Sequence, residues 1–144
     1  SNYTLNFTNG NLEVTKRAIT LSATNSSKVY GETNPTLTYT IANGTVVNSD
    51  NLGVNLSTTA TQFSNVGSYT IINDGTLNAN YDVTFNNGAL TITPKALSVT
   101  AESKTKICGE VNPTLTYTTT GLINGDSLSG TLSTTAGSYT NEAG

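Results

Sequence analysis

Apolar and polar residues alternate with a period of two along much of this chain, and that alternation predicts strands. Ile19, Leu21 and Ala23 alternate with Thr20 and Ser22, and Leu37, Tyr39 and Ile41 alternate with Thr36, Thr38 and Thr40. Tyr3, Leu5 and Phe7, then Leu12 and Val14, follow the same rule. So do Tyr81, Val83 and Phe85, then Leu90 and Ile92, and finally Leu97, Val99 and Ala101. A one-residue slip in pairing would turn every apolar set to the opposite face, so each set is expected to face an interior. Asn-Gly stands between alternating runs at Asn9-Gly10 and Asn87-Gly88 and predicts two-residue hairpins, because both central residues tolerate positive φ. Asn34-Pro35 and Asn112-Pro113 mark bends before a strand. One short stretch, 46–52, is compatible with a single helical turn, as is its counterpart 122–128.

The pattern repeats. Asn2-Tyr3-Thr4-Leu5-Asn6-Phe7 matches Asn80-Tyr81-Asp82-Val83-Thr84-Phe85, and Lys28-Val29-Tyr30-Gly31-Glu32 matches Lys106-Ile107-Cys108-Gly109-Glu110. Asn34-Pro35-Thr36-Leu37-Thr38-Tyr39-Thr40 matches Asn112-Pro113-Thr114-Leu115-Thr116-Tyr117-Thr118, at a spacing of 78 residues. After a short deletion, Leu56-Ser57-Thr58-Thr59-Ala60 matches Leu132-Ser133-Thr134-Thr135-Ala136. The period suits a small independent domain rather than a solenoid unit. Residues 1–15 read as the C-terminal strands of a preceding repeat, 16–93 as a complete repeat and 94–144 as the N-terminal two-thirds of the next. Each repeat holds six or seven strands. The expected class is therefore mostly β: tandem small antiparallel β-sandwiches of immunoglobulin-like type with at most a short helical turn. A sheet with one short helix per repeat is the alternative.

Composition narrows the function. Charged residues are 10% and hydrophobic residues 35% of the chain, both low, with Thr, Asn and Ser filling the difference. Abundant β-branched residues argue against disorder. The net charge of −3 and the lack of a basic stretch remove the footprint of a nucleic-acid binder and of a polybasic membrane anchor. No apolar run reaches the roughly 18–20 residues of a membrane span. An export signal is expected outside these residues.

The segment Val29-Tyr30-Gly31-Glu32 with Asn34-Pro35-Thr36-Leu37-Thr38-Tyr39 resembles the MBG domain of YGX type. So do the run from Gly121 to Gly130 and the ending Asn80-Tyr81 through Pro94-Lys95-Ala96-Leu97. The resemblance covers essentially the whole chain. It implies a tandem module of large, secreted bacterial surface proteins, including filamentous-haemagglutinin-like adhesins, with no shared catalytic site. Cys108 stands where the first copy has Tyr30, which favours a packing role for that position over a required hydroxyl.

Little else carries chemistry. With no His and one Cys, the familiar triads and zinc sites cannot be assembled from these residues, and no enzymatic activity or cofactor is expected. Asp50 and Asp126 recur beside Asn and Ser; turn capping is the leading reading and calcium ligation the alternative. Lys28 and Lys106 read as solvated strand-edge lysines, the sharper reading being an isopeptide bond to an Asn. Cys108 reads as a small buried hydrophobe. Sequons at Asn2, Asn6, Asn25, Asn43 and Asn55 are expected by chance in so Asn- and Thr-rich a chain. The expected function is an extracellular stalk or filament repeat that supports adhesion, and an adhesin module that itself binds glycans is the alternative. The expected partners are neighbouring repeats, including head-to-tail strand exchange between chains.

Overall fold

The computed structural model describes residues 2–137. The described residues form strands, turns and loops, with no helix. Seven strands lie in the first copy: β1 (Arg17–Ala23), β2 (Ser26–Val29), β3 (Tyr39–Asn43), β4 (Leu56–Thr58), β5 (Gly67–Asn73), β6 (Tyr81–Asn86) and β7 (Gly88–Thr93). Two more, β8 (Ser98–Ala101) and β9 (Tyr117–Thr120), lie in the second. The first copy is built of two sheets, ordered β3-β1-β6 and β2-β7-β5-β4. The mostly-β expectation holds, and the strand count falls within the expected range.

The expected parity is met on β1, β6 and β7: Ile19, Leu21, Tyr81, Leu90 and Ile92 are buried, and Ile71 of β5 joins them. It fails on β3, an edge strand on which Tyr39 and Ile41 stand exposed rather than facing the interior. The buried residues fall into two clusters, one around Ala23, Ala60, Ile71, Leu90 and Ile92, the other around Ile19, Leu21, Leu52 and Tyr81. Phe85 packs against both and ties them together.

Two ladders are parallel rather than antiparallel. β1 runs beside β6 from Arg17 opposite Tyr81 to Ser22 opposite Asn86, and β2 runs beside β7 from Ser26 opposite Leu90 to Val29 opposite Thr93. The sequence offset is 64 residues throughout, so 17–29 and 81–93 are two bent strands lying side by side across both sheets. At the bend the backbone ladder lapses and side chains replace it. Ala89 N donates to Asn25 Oδ1 at 2.9 Å, and Asn86 Nδ2 donates to Ser22 Oγ at 3.0 Å.

That bend corrects the hairpin expected at Asn87-Gly88. β6 and β7 lie in different sheets, and neither Asn87 nor Gly88 has positive φ. Gly88 is required for another reason: a Cβ there would lie 3.0 Å from both the Cβ and the carbonyl oxygen of Ala23. The bent strand β6–β7 turns its corner against the bent strand β1–β2, and only glycine lets the two backbones approach so closely.

The single helical turns expected at 46–52 and 122–128 are also corrected. Asp50 N bonds Val47 O at 3.0 Å with φ of 54° at Asn48 and 56° at Ser49. Asp126 N bonds Ile123 O at 2.9 Å with φ of 55° at Asn124 and 72° at Gly125. Positive φ at both central residues makes each a type I′-like turn, which a right-handed helical turn excludes.

The second copy reproduces part of the first. Val99, Thr100 and Ala101 pair with Thr119, Thr118 and Tyr117, as Leu21, Ser22 and Ala23 pair with Ile41, Thr40 and Tyr39. Its apolar set is not buried: Leu97 and Val99 are 38% and 50% exposed. In the first copy Tyr81, Val83 and Phe85 cover the equivalent Ile19 and Leu21. No described strand covers β8 in that way. For the same reason residues 3–14 form no strand, and Tyr3, Leu5, Phe7, Leu12 and Val14 stand largely exposed. The hairpin expected at Asn9-Gly10 is likewise absent.

Candidate functional site

The segment that recurs most faithfully builds a clamp. Lys28 ends up 5% exposed on β2, not solvated as its charge suggests. Its ammonium donates to Thr61 O at 2.6 Å, Glu32 O at 2.9 Å and Gln62 O at 3.3 Å, so three donors meet three backbone carbonyls. Asn34 Nδ2 donates to Ala60 O at 2.6 Å, and Gln62 Nε2 donates to Gly31 O at 2.9 Å. The corner at 28–34 is thereby fastened to the loop at 60–62. The second copy repeats the device: Lys106 Nζ donates to Gly137 O at 2.6 Å and Glu110 O at 3.3 Å, and Asn112 Nδ2 donates to Ala136 O at 2.6 Å. Among the described residues the partners of both lysines are backbone carbonyls rather than an Asn side chain, which is the geometry of a hydrogen-bonded clamp and not of an isopeptide. Composition could not reveal this, although the recurrence of Lys, Glu and Asn at fixed spacing was its visible trace.

Within the clamp, Glu32 N bonds Val29 O at 3.1 Å across Tyr30-Gly31, with Gly31 at φ 89°. Ile107-Cys108-Gly109-Glu110 makes the same turn, with Gly109 at φ 90°. Positive φ at the third residue is the demand of a type II turn and accounts for the glycine. The Tyr30 ring is steadied edge-on by Phe63, with centroids 6.4 Å apart.

Asp50 and Asp126 sit at the other end of the strands, closing the two left-handed turns. Asp50 Oδ2 accepts from Tyr81 Oη at 2.9 Å, and Tyr81 Oη in turn accepts from Val47 N at 3.0 Å. Asp126 lies beside the Tyr30 hydroxyl of the first copy, in a crevice that both residues line. The structure therefore places each aspartate at a turn with a phenol nearby, and it does not bring the two together. Among the described residues no three His, Cys, Asp or Glu side chains gather where a metal ion could sit.

The approach of Tyr30 and Asp126 belongs to a joint between the copies. Pro94, Lys95 and Leu97, the start of the second copy, line a crevice with Tyr30, Val66, Ile123 and Asp126. A Cβ on Gly31 would run into Ile123 Cδ1, so the glycine also admits the neighbouring copy's isoleucine. The nearby Asp126 side chain raises the Tyr30 phenol above its ordinary value of 10.0, desolvation adds to the rise, and the Asn124 side chain works against it.

The model of the MBG domain (YGX type) matches residues 19–91 and again 97–144. The chain belongs to the MBG domain family. No curated protein and no solved structure matches it. MBG domains are repeat modules of surface proteins, and no helix among the described residues is long and apolar enough to cross a membrane. The Tyr-Gly of the YGX name falls on Tyr30-Gly31 in this MBG chain, at the tip of the clamp and in the joint. Cys108 takes the tyrosine's place in the second copy and is exposed, which corrects the expectation of a buried thiol. Three sequon asparagines of the MBG fold are structural. Asn25 mends the bend, Asn43 Oδ1 accepts from Gly44 N at 2.9 Å, and Asn55 Nδ2 donates to Asp74 Oδ1 at 2.6 Å.

Proposed function

We propose that this chain is a load-bearing stalk or filament segment of a secreted bacterial surface protein and performs no catalysis. The observation that carries the reading is the parallel pairing of the first and last strands of the complete copy. The chain enters that copy at Arg17, beside Tyr81, and leaves it at Thr93, beside Val29. Tension applied along the chain pulls these two points apart parallel to the strands. The β1–β6 and β2–β7 hydrogen bonds are then loaded in shear, together, rather than opened one at a time. The clamp at Lys28 secures the end of the same ladder to the loop at 60–62.

Force spectroscopy on the whole chain tests this. Tethering at the two termini is expected to give a higher rupture force for the first copy than tethering at the N-terminus and residue 53, which both lie at its base, so that the force opens the sheet across its strands instead. Equal forces in the two geometries would refute the stalk reading. Specific, saturable capture of the intact chain on a glycan array would favour the adhesin reading instead.

A second reading concerns partners, and one depression favours it. Val99, Tyr117, Leu128 and Leu132 line a hollow of about 210 Å³ in the second copy. Its counterpart in the first copy, around Leu21 and Leu52, is filled by Tyr81, Val83 and Phe85. Residues 3–7 carry the same Tyr-x-Leu-x-Phe parity and stand exposed. They are suited to complete the second copy of a neighbouring chain by strand addition.

A further inference from the structure

The base of the first copy carries a groove of about 480 Å³, lined among others by Lys16, Arg17, Val47, Asn48, Asp50 and Tyr81. Its counterpart on the second copy is the joint surface, where Ile123 meets Gly31 and Asp126 meets Tyr30. The two surfaces are built alike. Val47-Asn48-Ser49-Asp50 and Ile123-Asn124-Gly125-Asp126 form the same left-handed turn, closed by the same backbone bond. Lys16 and Arg17 stand where Pro94 and Lys95 stand at the joint. One surface holds a Tyr-Gly corner and the other does not.

We propose that the groove at the base of the first copy receives the Tyr-Gly corner of a preceding MBG repeat in the same chain. Val47, 38% exposed, takes the part of Ile123 against the glycine. Asp50 takes the part of Asp126. Tyr81 uses Oδ2 of Asp50, and a carboxylate has acceptor sites enough for a second phenol. The glycine is required in such a corner by its φ near 90°, and its missing Cβ also leaves room for the side-chain tip of the next repeat. The YGX signature is on this account an intermodule contact as much as a turn. Modules so joined follow one another at a set angle, with the short linker 14–17 held in the groove wall.

The proposal rests on the tandem-stalk reading, but its test does not use force. A chain in which residues 16–93 are followed directly by 16–144 preserves the 78-residue spacing and places a Tyr30-Gly31 corner before the groove. Hydrogen exchange of amides 47–50 in the middle copy is then compared with the same amides in the 144-residue chain. Slower exchange in the longer chain, by about tenfold or more, is expected. Val47→Lys in the middle copy is expected to abolish that protection. The position is exposed, so the variant keeps the fold, and a still-slow exchange elsewhere in that copy verifies this. In the 144-residue chain, Ile123→Lys is expected to speed exchange at Tyr30 and Gly31. Unchanged exchange at 47–50 in the longer chain overturns the proposal. Protection that grows with concentration overturns the same-chain assignment, because a corner from another molecule would then be the occupant.

Discussion

A buried ammonium without a carboxylate partner is costly unless its hydrogen bonds are complete, and the three carbonyls around Lys28 complete them. Lys28→Met keeps the aliphatic stem but leaves Thr61 O, Glu32 O and Gln62 O facing an apolar group. It is expected to lower unfolding stability by about 3 kcal/mol in urea denaturation. The equivalent Lys106→Met, at a half-exposed position, is expected to cost much less. Equal losses at the two sites would show that the clamp contributes nothing beyond the charge. Ser49 offers the opposite case. Its φ of 56° is strained for a residue with a Cβ, and Gly125 occupies the same place in the second copy. Ser49→Gly is expected to stabilise the first copy by about 0.5–1 kcal/mol, the relief of strain outweighing the added freedom of the unfolded chain. A drop in the urea midpoint would contradict this.

At the scale of strands and turns, the alternation of Ile19, Leu21 and Ala23, and of Leu90 and Ile92, was readable because burial on one face imposes period two locally. What alternation cannot state is which sheet a strand joins. Asn87-Gly88 carried the strongest local hairpin signal, yet the tertiary need for close approach to Ala23 turned it into a corner between sheets. The apolar pairs Val46-Val47 and Leu122-Ile123 mask the left-handed turns in the sequence, although Asn124-Gly125 is a two-residue turn signal. The pairing of Lys28 with carbonyls 33 and 34 residues away leaves no local trace, so only its recurrence pointed to it. The Tyr30 turn allows a prediction at this scale. Its phenol is raised above 10.0 by the Asp126 side chain beside it, so the neutral form is the one the joint stabilises. That stabilisation is fully present below pH 10 and is lost as the pH climbs through the raised value. Tyr30 is therefore expected to ionise above pH 10 in a carbon-13 titration of tyrosine Cζ. Asp126→Asn is expected to lower that midpoint. A midpoint that the substitution leaves unchanged would mean that Asp126 does not reach the phenol in solution.

At the scale of the molecule, one geometric relation accounts for the ordered and the open parts together. A stretch of the type 81–93 becomes two strands when a bent edge of the type 17–29 lies beside it at a constant offset. Residues 2–15 have the same sequence character but no such edge beside them among the described residues, and they form no strand. β8 offers the start of such an edge, with the hollow at Val99 and Leu128 behind it. Strand formation here is limited by the supply of an edge rather than by propensity. A peptide of residues 79–93 added to the intact chain is therefore expected to bind the second copy and to slow hydrogen exchange in β8. Chains at high concentration are expected to associate head to tail through residues 3–14, with larger species in sedimentation. The peptide is expected to disperse those species by competition, and deletion of residues 1–15 to prevent them. A chain that sediments identically with and without residues 1–15, and whose β8 amides ignore the peptide, would show that the edge is closed by something other than strand addition.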